Sequence, residues 1–442
     1  TECRNKLSKK TQTNPPPQIL QVAVKFKWKS VWKSTHKMAG FLSMLKQSTL
    51  VHLCFAISFF TSGLIINTVQ CILYVGLKPF NKHLYRTIGY YLCYSFYSQL
   101  VFLADWWSDT KLNVYASDED MKYCGTEHVL LLMNHTYEID WLLGWMFCEK
   151  VRVLGNCKAY AKKVIQYIPT IGWAWKFAEF VFLERSFEKD REIIGRQINE
   201  ILDYPDPVWL LLNAEGTRFT EQKHEASVKF AQEKGMVPLK HHLIPRTKGF
   251  TASLPFLREK CPAVLDIQLA ISKDSKVKPT IFNILNGKQI EAHLCVRRFP
   301  TGTLPEREED AAVWLQDLFR EKDRMQDSFH RTGSFFTDSG VAERPKLQLH
   351  RRPTTLVNTA FWVVATLTPM LYYLVMLLFS GEILYFSIGA GILFAFYMLM
   401  VKAIGMSKIS KASSYGAEKL KNGHSPTHEP VEPTAAESSK DK

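Results

Sequence analysis

Two stretches of this 442-residue chain lack formal charge altogether. Nothing charged lies between Gln47 and Leu77, a span of 31 residues, or in the 29 residues from Pro353 to Gly381. After a lone Glu382, 19 more uncharged residues run to Val401. About 20 apolar residues cross a bilayer as a helix. These runs therefore exclude a freely soluble enzyme, and with it a fully disordered or fibrous chain. The first run, centred on Leu50–Tyr74, is too long for a secretory h-region and has no obvious cleavage site. CxxC pairs are also missing. The nine cysteines are scattered and odd in number, which argues against a disulfide framework and against a zinc site. The bulk of the chain reads as cytosol-facing and reduced. Acidic residues are scarce at the start: the first 46 residues hold ten Lys/Arg against Glu2 alone, so this block supplies +9 of the net +14. No zinc finger or aromatic RNA-binding signature accompanies it. A basic block ahead of an apolar run suits an anionic membrane surface, and nucleic acid is not an expected partner. The first methionine is Met38, and 1–37 reads as an isoform-specific or upstream extension whose removal leaves +6.

What remains divides by composition. A basic extension (1–46) precedes a region of N-terminal membrane helices (47–107), in which Leu84–Trp107 is a second, more polar segment ending in Trp106–Trp107 at the lipid–water boundary. At the other end, 353–404 reads as a transmembrane hairpin, Thr355–Phe379 and Ile383–Val401 turning at Ser380-Gly381-Glu382. The tail, 405–442, is rich in Ser, Pro, Lys and Glu and is expected to be disordered. The block between, 108–348, carries short apolar runs that read as buried strands: His128–Met133, Phe180–Leu183, Val208–Leu212 and Ala263–Ile271. Glu188–Tyr204 and Glu309–Arg324 have helical periodicity with charged outer faces. Alternating strands and helices predict an α/β domain with a mostly parallel sheet.

Three of those strands run into polar residues. The first meets Asn134-His135-Thr136-Tyr137-Glu138-Ile139-Asp140, the second Glu184-Arg185, and the third Asn213-Ala214-Glu215-Gly216-Thr217-Arg218. Ligands in open α/β sheets sit beyond the carboxyl ends of the strands, so the three clusters should share one edge. His135 and Asp140 are five residues apart, about 140° on a single helix, which is poor geometry for contact. The pair works if His135 ends the strand and Asp140 opens the next helix. Asp140 then fixes the imidazole tautomer, and the other nitrogen takes a proton from a bound hydroxyl. Taken alone, such a spacing is more often a helix-capping histidine beside an ordinary first-turn acid. Gly216, Thr217 and Arg218 suit an anion through close backbone approach, a hydroxyl and a guanidinium, with Glu215 to orient the arginine or a substrate hydroxyl and Arg185 as a second guanidinium. A turn with a surface salt bridge is the plainer reading of Glu215–Arg218. His241 and His242 are adjacent and point apart on a strand, a poor start for a metal site. Lys162 and Lys163, with Trp173 and Trp175, could meet headgroups or simply form a solvated basic face.

NHTYEID resembles the NHxxxxD block of the glycerolipid acyltransferases, and Glu215–Arg218 is similar to their EGTR block. Phe180–Arg185 (FVFLER) and His241–Phe250 (HHLIPRTKGF) resemble their second and fourth blocks. Order and spacing agree over roughly residues 40–420, and AEGTRFT, IPRTKGF, Val296-Arg297-Arg298 and Ser413-Ser414-Tyr415-Gly416 resemble the gamma/delta branch that acylates 1-acylglycerol 3-phosphate. Two departures stand out: Asn213-Ala214 where many members have Phe-Pro, and Glu179 where a glycine opens the second block. The resemblance implies acyl transfer from acyl-CoA, a co-substrate rather than a cofactor, to the sn-2 hydroxyl of lysophosphatidic acid at a lipid bilayer. His135 and Asp140 would be catalytic, Arg185, Glu215, Gly216, Thr217 and Arg218 would bind substrate, and no metal is expected. It also implies the endoplasmic reticulum membrane, with the Golgi second. Another lysophospholipid acceptor, such as lysophosphatidylinositol, and a non-catalytic membrane-shaping role are the alternatives.

Overall fold

The computed structural model describes residues 40–184 and 187–407. Arg185, most of the basic extension and nearly all of the tail lie outside the described residues. Among them, three helices are long and apolar enough to cross a membrane: Thr49–Gly76, Thr354–Leu378 and Ile383–Gly405. The helix Lys82–Phe102, which begins where Asn81 Oδ1 accepts the Leu84 N–H at 2.9 Å, is not one of them.

Eight strands form one sheet in the order β4-β3-β5-β2-β6-β7-β1-β8. They are β1 (Lys111–Tyr115), β2 (Val129–Met133), β3 (Cys157–Lys162), β4 (Val181–Leu183), β5 (Trp209–Leu212), β6 (Ala263–Ala270), β7 (Glu291–Pro300) and β8 (Lys346–Leu347). The five from β4 to β6 are mutually parallel, whereas β7 lies antiparallel to β6 and parallel to β1. The sheet is thus mostly parallel, with a reversed pair toward one edge. β2 sits near its middle, and all five residues are buried. That explains its unbroken apolar run: side chains alternate between two covered faces. Val129, Leu131 and Met133 join a core with Ile66, Phe96 and Tyr97. Leu130 and Leu132 join another, with Ile198, Phe250 and Phe319. The helix Lys82–Phe102 therefore serves as a covering layer of the sheet, which accounts for its mixed polarity.

The hairpin is docked on this layer through side-chain hydrogen bonds. Asn358 Nδ2 donates to Ser95 O at 2.8 Å and Ser98 Oγ at 2.9 Å, Trp362 Nε1 donates to Ser95 Oγ at 2.7 Å, and Thr366 Oγ1 donates to Ser58 Oγ at 3.2 Å. Where water is scarce such bonds hold helices together, each contributing about 0.6–2 kcal/mol. Charge is also buried inside the sheet. Asp266, in the middle of β6, accepts from Lys322 Nζ at 2.5 Å and Arg297 Nη2 at 2.7 Å, so an acid interrupts an apolar strand without standing alone.

Glu179, at the departure noted above, adopts φ +58°, the left-handed region in which glycine is at ease. A glycine would suit that backbone, and the glutamate is held there by its side chain. Oε2 accepts from Arg86 Nε at 2.9 Å and Tyr204 OH at 2.7 Å, and Lys78 Nζ lies 2.8 Å from Oε1. Burial alone would push this carboxyl up, but the hydrogen bonds from Lys78, Tyr204 and Arg86 outweigh it and hold the pKa at about 2. The stabilisation is complete above the unfolded value near 4.5 and is lost as pH falls from there toward 2. Glu179→Gly should relax the backbone yet leave buried Arg86 without its main partner, a net loss of about 2 kcal/mol. Thermal denaturation in detergent should show the midpoint fall for Glu179→Gly and recover in the double variant Glu179→Gly/Arg86→Met.

Candidate functional site

β2 delivers its polar sequel to the carboxyl edge of the sheet. Asn134 follows immediately and ties the strand end to β6, accepting the Leu269 N–H at 2.8 Å and donating to Leu269 O at 3.0 Å. The chain then turns, and Asp140 opens the helix Asp140–Lys150. This is the strand–turn–helix placement that the five-residue spacing requires. His135 Nδ1 donates to Asp140 Oδ2 at 3.0 Å, and the Tyr137 N–H donates to the same oxygen at 3.2 Å. Asp140 is 0% exposed, whereas the His135 side chain keeps 20% of its surface. The aspartate is a fixed acceptor behind the ring, so Nε2 is the nitrogen left to act as a base.

β5 is the parallel neighbour of β2, and its sequel lies beside His135. Two of the expected residues have partners within the protein here. Glu215, expected on substrate, has one carboxylate oxygen accepting the His135 N–H at 2.9 Å and the other the Leu243 N–H at 3.3 Å, and it is buried. It fastens three loops together. Gly216, expected to let the backbone approach an anion closely, donates its own N–H to Asn213 O at 2.9 Å in a turn with φ +69°. Its lack of a side chain serves another purpose, because a Cβ there would meet Arg246 Cδ at 2.8 Å. Thr217 and Arg218 follow the turn. Lys223, which the linear sequence does not single out, folds back from the helix Glu221–Glu233 to donate from Nζ to Thr217 Oγ1 at 2.8 Å and to Arg218 O at 3.2 Å. Partial burial, then the nearby cations Arg218 and Lys162, lower the Lys223 pKa, the mark of a positively charged zone.

The loop with His241 and His242 is anchored from the helix Glu308–Thr332. Asp323 accepts the Lys240 and His241 N–H groups at 2.8 and 2.7 Å and pairs with His242 Nδ1 at 3.0 Å; His241 Nε2 lies 2.9 Å from Asp327. Both histidines therefore shape the loop that carries Leu243 to Glu215. Burial raises the Asp323 carboxyl, but these hydrogen bonds hold it below its usual range.

The ends of β2 and β5 and the loop from Leu243 onward border one cavity of about 2210 Å³. His135, Thr217, Arg218 and Lys223 line one part of it, and aromatic and aliphatic side chains such as Phe59, Trp145 and Trp209 line the rest. Such a site offers a histidine base and cations next to an apolar chamber, the arrangement an amphiphile with an anionic headgroup requires. Of the residues expected at the site, His135, Glu215, Gly216, Thr217 and Arg218 line this cavity, Asp140 stands behind His135, and Arg185 lies outside the described residues. Lys223 has no sequence signal beyond its proximity to the motifs, and Asn134, the first residue of the NHTYEID motif, was not given a role from sequence.

The family model described as Acyltransferase matches residues 113–250, and a second, Acyltransferase C-terminus, matches 283–362. The chain is 41% identical over 383 residues to the 1-acyl-sn-glycerol-3-phosphate acyltransferase gamma of Mus musculus, covering 86% of this chain and 99% of that protein. It is 40% identical to the delta protein of Rattus norvegicus, covering 85% and 97%, and 40% identical to the gamma protein of Homo sapiens, covering 86% and 99%. Among solved structures, the 1-acyl-sn-glycerophosphate acyltransferase PlsC from Thermotoga maritima matches at 15% identity with a TM-score of 0.35, covering 61% of this chain and 93% of that one.

Glu215→Gln replaces one of two buried acceptors by an amide nitrogen that cannot accept. We expect a loss of about 1–3 kcal/mol, the cost of one unsatisfied buried N–H, read as a lowered thermal midpoint. An unchanged midpoint would place Glu215 outside the framework.

Proposed function

This chain belongs to the acyltransferase family, together with the 1-acyl-sn-glycerol-3-phosphate acyltransferases gamma and delta, and we propose that it transfers an acyl group from acyl-CoA to the sn-2 hydroxyl of lysophosphatidic acid, giving phosphatidic acid and free CoA. The observation that carries this reading is the His135 Nδ1–Asp140 Oδ2 bond at the edge of a cavity that also holds Thr217, Arg218 and Lys223. In the proposed step Nε2 of His135 accepts the hydroxyl proton while the oxygen attacks the thioester carbonyl carbon. Asp140 stabilises the imidazolium that forms. The C–S bond then breaks, and the CoA thiolate leaves and is protonated from His135. The thioester is already activated and thiolate is a good leaving group, so the step needs neither a covalent acyl-enzyme nor a metal.

In this reading Thr217, Arg218 and Lys223, which line the cavity near His135, hold the phosphate, and Arg185, outside the described residues, is expected to add a further guanidinium. Several cations favour a phosphomonoester, which carries up to two charges, over a phosphodiester, which carries one. The apolar part of the cavity and the three apolar helices keep both acyl chains within lipid, and the endoplasmic reticulum membrane, with the Golgi second, is the compartment this reading assigns.

His135→Ala should lower the transfer of labelled oleoyl groups to lysophosphatidic acid at least about 100-fold, the usual contribution of a general base, with membrane expression intact. Undiminished transfer would exclude His135 as the base. In wild-type membranes lysophosphatidylinositol should be acylated more slowly than lysophosphatidic acid, and equal or faster rates would overturn the choice of acceptor.

A further inference from the structure

The cavity face of the sheet turns from apolar to polar at a single side chain of β5. Successive side chains of a strand point to opposite faces, and on β5 Trp209 and Leu211 face the cavity together with Leu131 and Met133 of β2. Asn213 is next in that stripe, one residue past the strand, and it too lines the cavity. The register Leu131↔Leu211 and Leu132↔Leu212 runs on to set it beside Met133, two residues short of His135. Its amide is incomplete. The backbone O takes the Gly216 N–H at 2.9 Å, but the side-chain Oδ1 is buried with no hydrogen-bond partner among the described residues. Asn213 is half-buried and Oδ1 is not what it exposes, so Nδ2 with its two N–H donors is the polar atom on the cavity side. Polar groups in such surroundings are nearly always paired, which leaves an acceptor on a ligand as the natural partner of Nδ2.

We propose that Asn213 Nδ2 donates to the carbonyl oxygen at the head of a fatty chain, beside the reacting hydroxyl. The inference rests on the acyl-transfer reading above. That reading puts the sn-2 hydroxyl on His135, and Asn213 lies about 6.6 Å back along the strand direction, the rise of two residues. A chain that leaves the reacting centre for the apolar floor carries its carbonyl within that interval. Two such oxygens share this chemistry: the sn-1 ester carbonyl of the acylated acceptor and the thioester carbonyl of the donor. On the first, Asn213 reads an ester link against an ether. On the second, it holds the oxyanion that forms as the hydroxyl adds. An aliphatic side chain in its place leaves either carbonyl without a donor.

The test uses the full chain in membranes with Asn213→Leu, which removes both amide atoms at similar size, and Asn213→Ala should the first fail to accumulate. One arm competes 1-oleoyl lysophosphatidic acid against its 1-O-oleyl ether, with oleoyl-CoA as the fixed donor. The other measures kcat on each acceptor alone. Wild type should favour the ester. If the sn-1 carbonyl is the ligand, the ester-to-ether product ratio should fall at least about fivefold, the value of one hydrogen bond. If the thioester carbonyl is the ligand, kcat should fall about 10²- to 10³-fold on both acceptors with the ratio unchanged. In either case the thermal midpoint in detergent should hold, since the variants remove an unpaired amide rather than a contact. An unchanged ratio and kcat would overturn the proposal and leave the acyl-transfer reading intact. So would a slower variant with a lowered midpoint, which would assign Asn213 to the framework. A wild type inactive on both acceptors would overturn that reading and the proposal with it.

Discussion

The Glu215 carboxylate is the constraint on which the site depends. One oxygen holds the backbone of His135 as it leaves β2, and the other holds Leu243 in the loop that follows the helix Glu221–Glu233. Because Glu215 lies in the turn that follows β5, a single buried acid joins three loops at the carboxyl edge of the sheet. The Phe219 N–H adds a further bond to His135 O at 2.8 Å, and the Arg246 N–H one to Ala214 O at 2.7 Å. Imidazole, threonine and arginine are thereby fixed relative to one another before any ligand arrives, which is what preorganised acid–base chemistry needs.

The apolar ends of the chain take part in the same construction. The helix Lys82–Phe102 contributes Phe96 and Tyr97 to the core beneath β2, and the Arg86–Glu179 pair ties it to the segment that enters β4. The hairpin in turn is bonded to that helix through Asn358 and Trp362. A continuous set of packed layers therefore connects the polar edge of the sheet with the helices long enough to enter lipid. The chemistry proposed here joins a polar headgroup reaction to water-insoluble chains, and this continuity lets one cavity serve both.

Much of this was legible in the sequence because it follows local rules. The four apolar runs became β2, β4, β5 and β6 within a residue or two, since each packs against a core on both faces. His135 and Asp140 could be paired in advance because strand–turn–helix is the one local geometry that closes a five-residue gap. β1, β3, β7 and β8 were missed, as their short or mixed sequences are strand-like only beside their neighbours: Arg297 in β7 is tolerable because Asp266 lies across from it. The partners of Glu215 and Gly216 inside the protein were not legible, because a contact 80 or 30 residues away leaves no trace in a motif. Glu179 shows the same limit. Its backbone angle would suit a glycine, while the reason a glutamate survives there is Arg86, on a helix 93 residues earlier.

The central claim is that Asp140 aims the His135 ring so that Nε2 faces a substrate hydroxyl. Steady-state acyl transfer by Asp140→Asn measures this most directly, since the amide keeps the shape of the side chain but can hold the wrong tautomer. The account predicts a fall in kcat of about 10²- to 10⁴-fold with the protein still folded. A variant that turns over at the wild-type rate would contradict it.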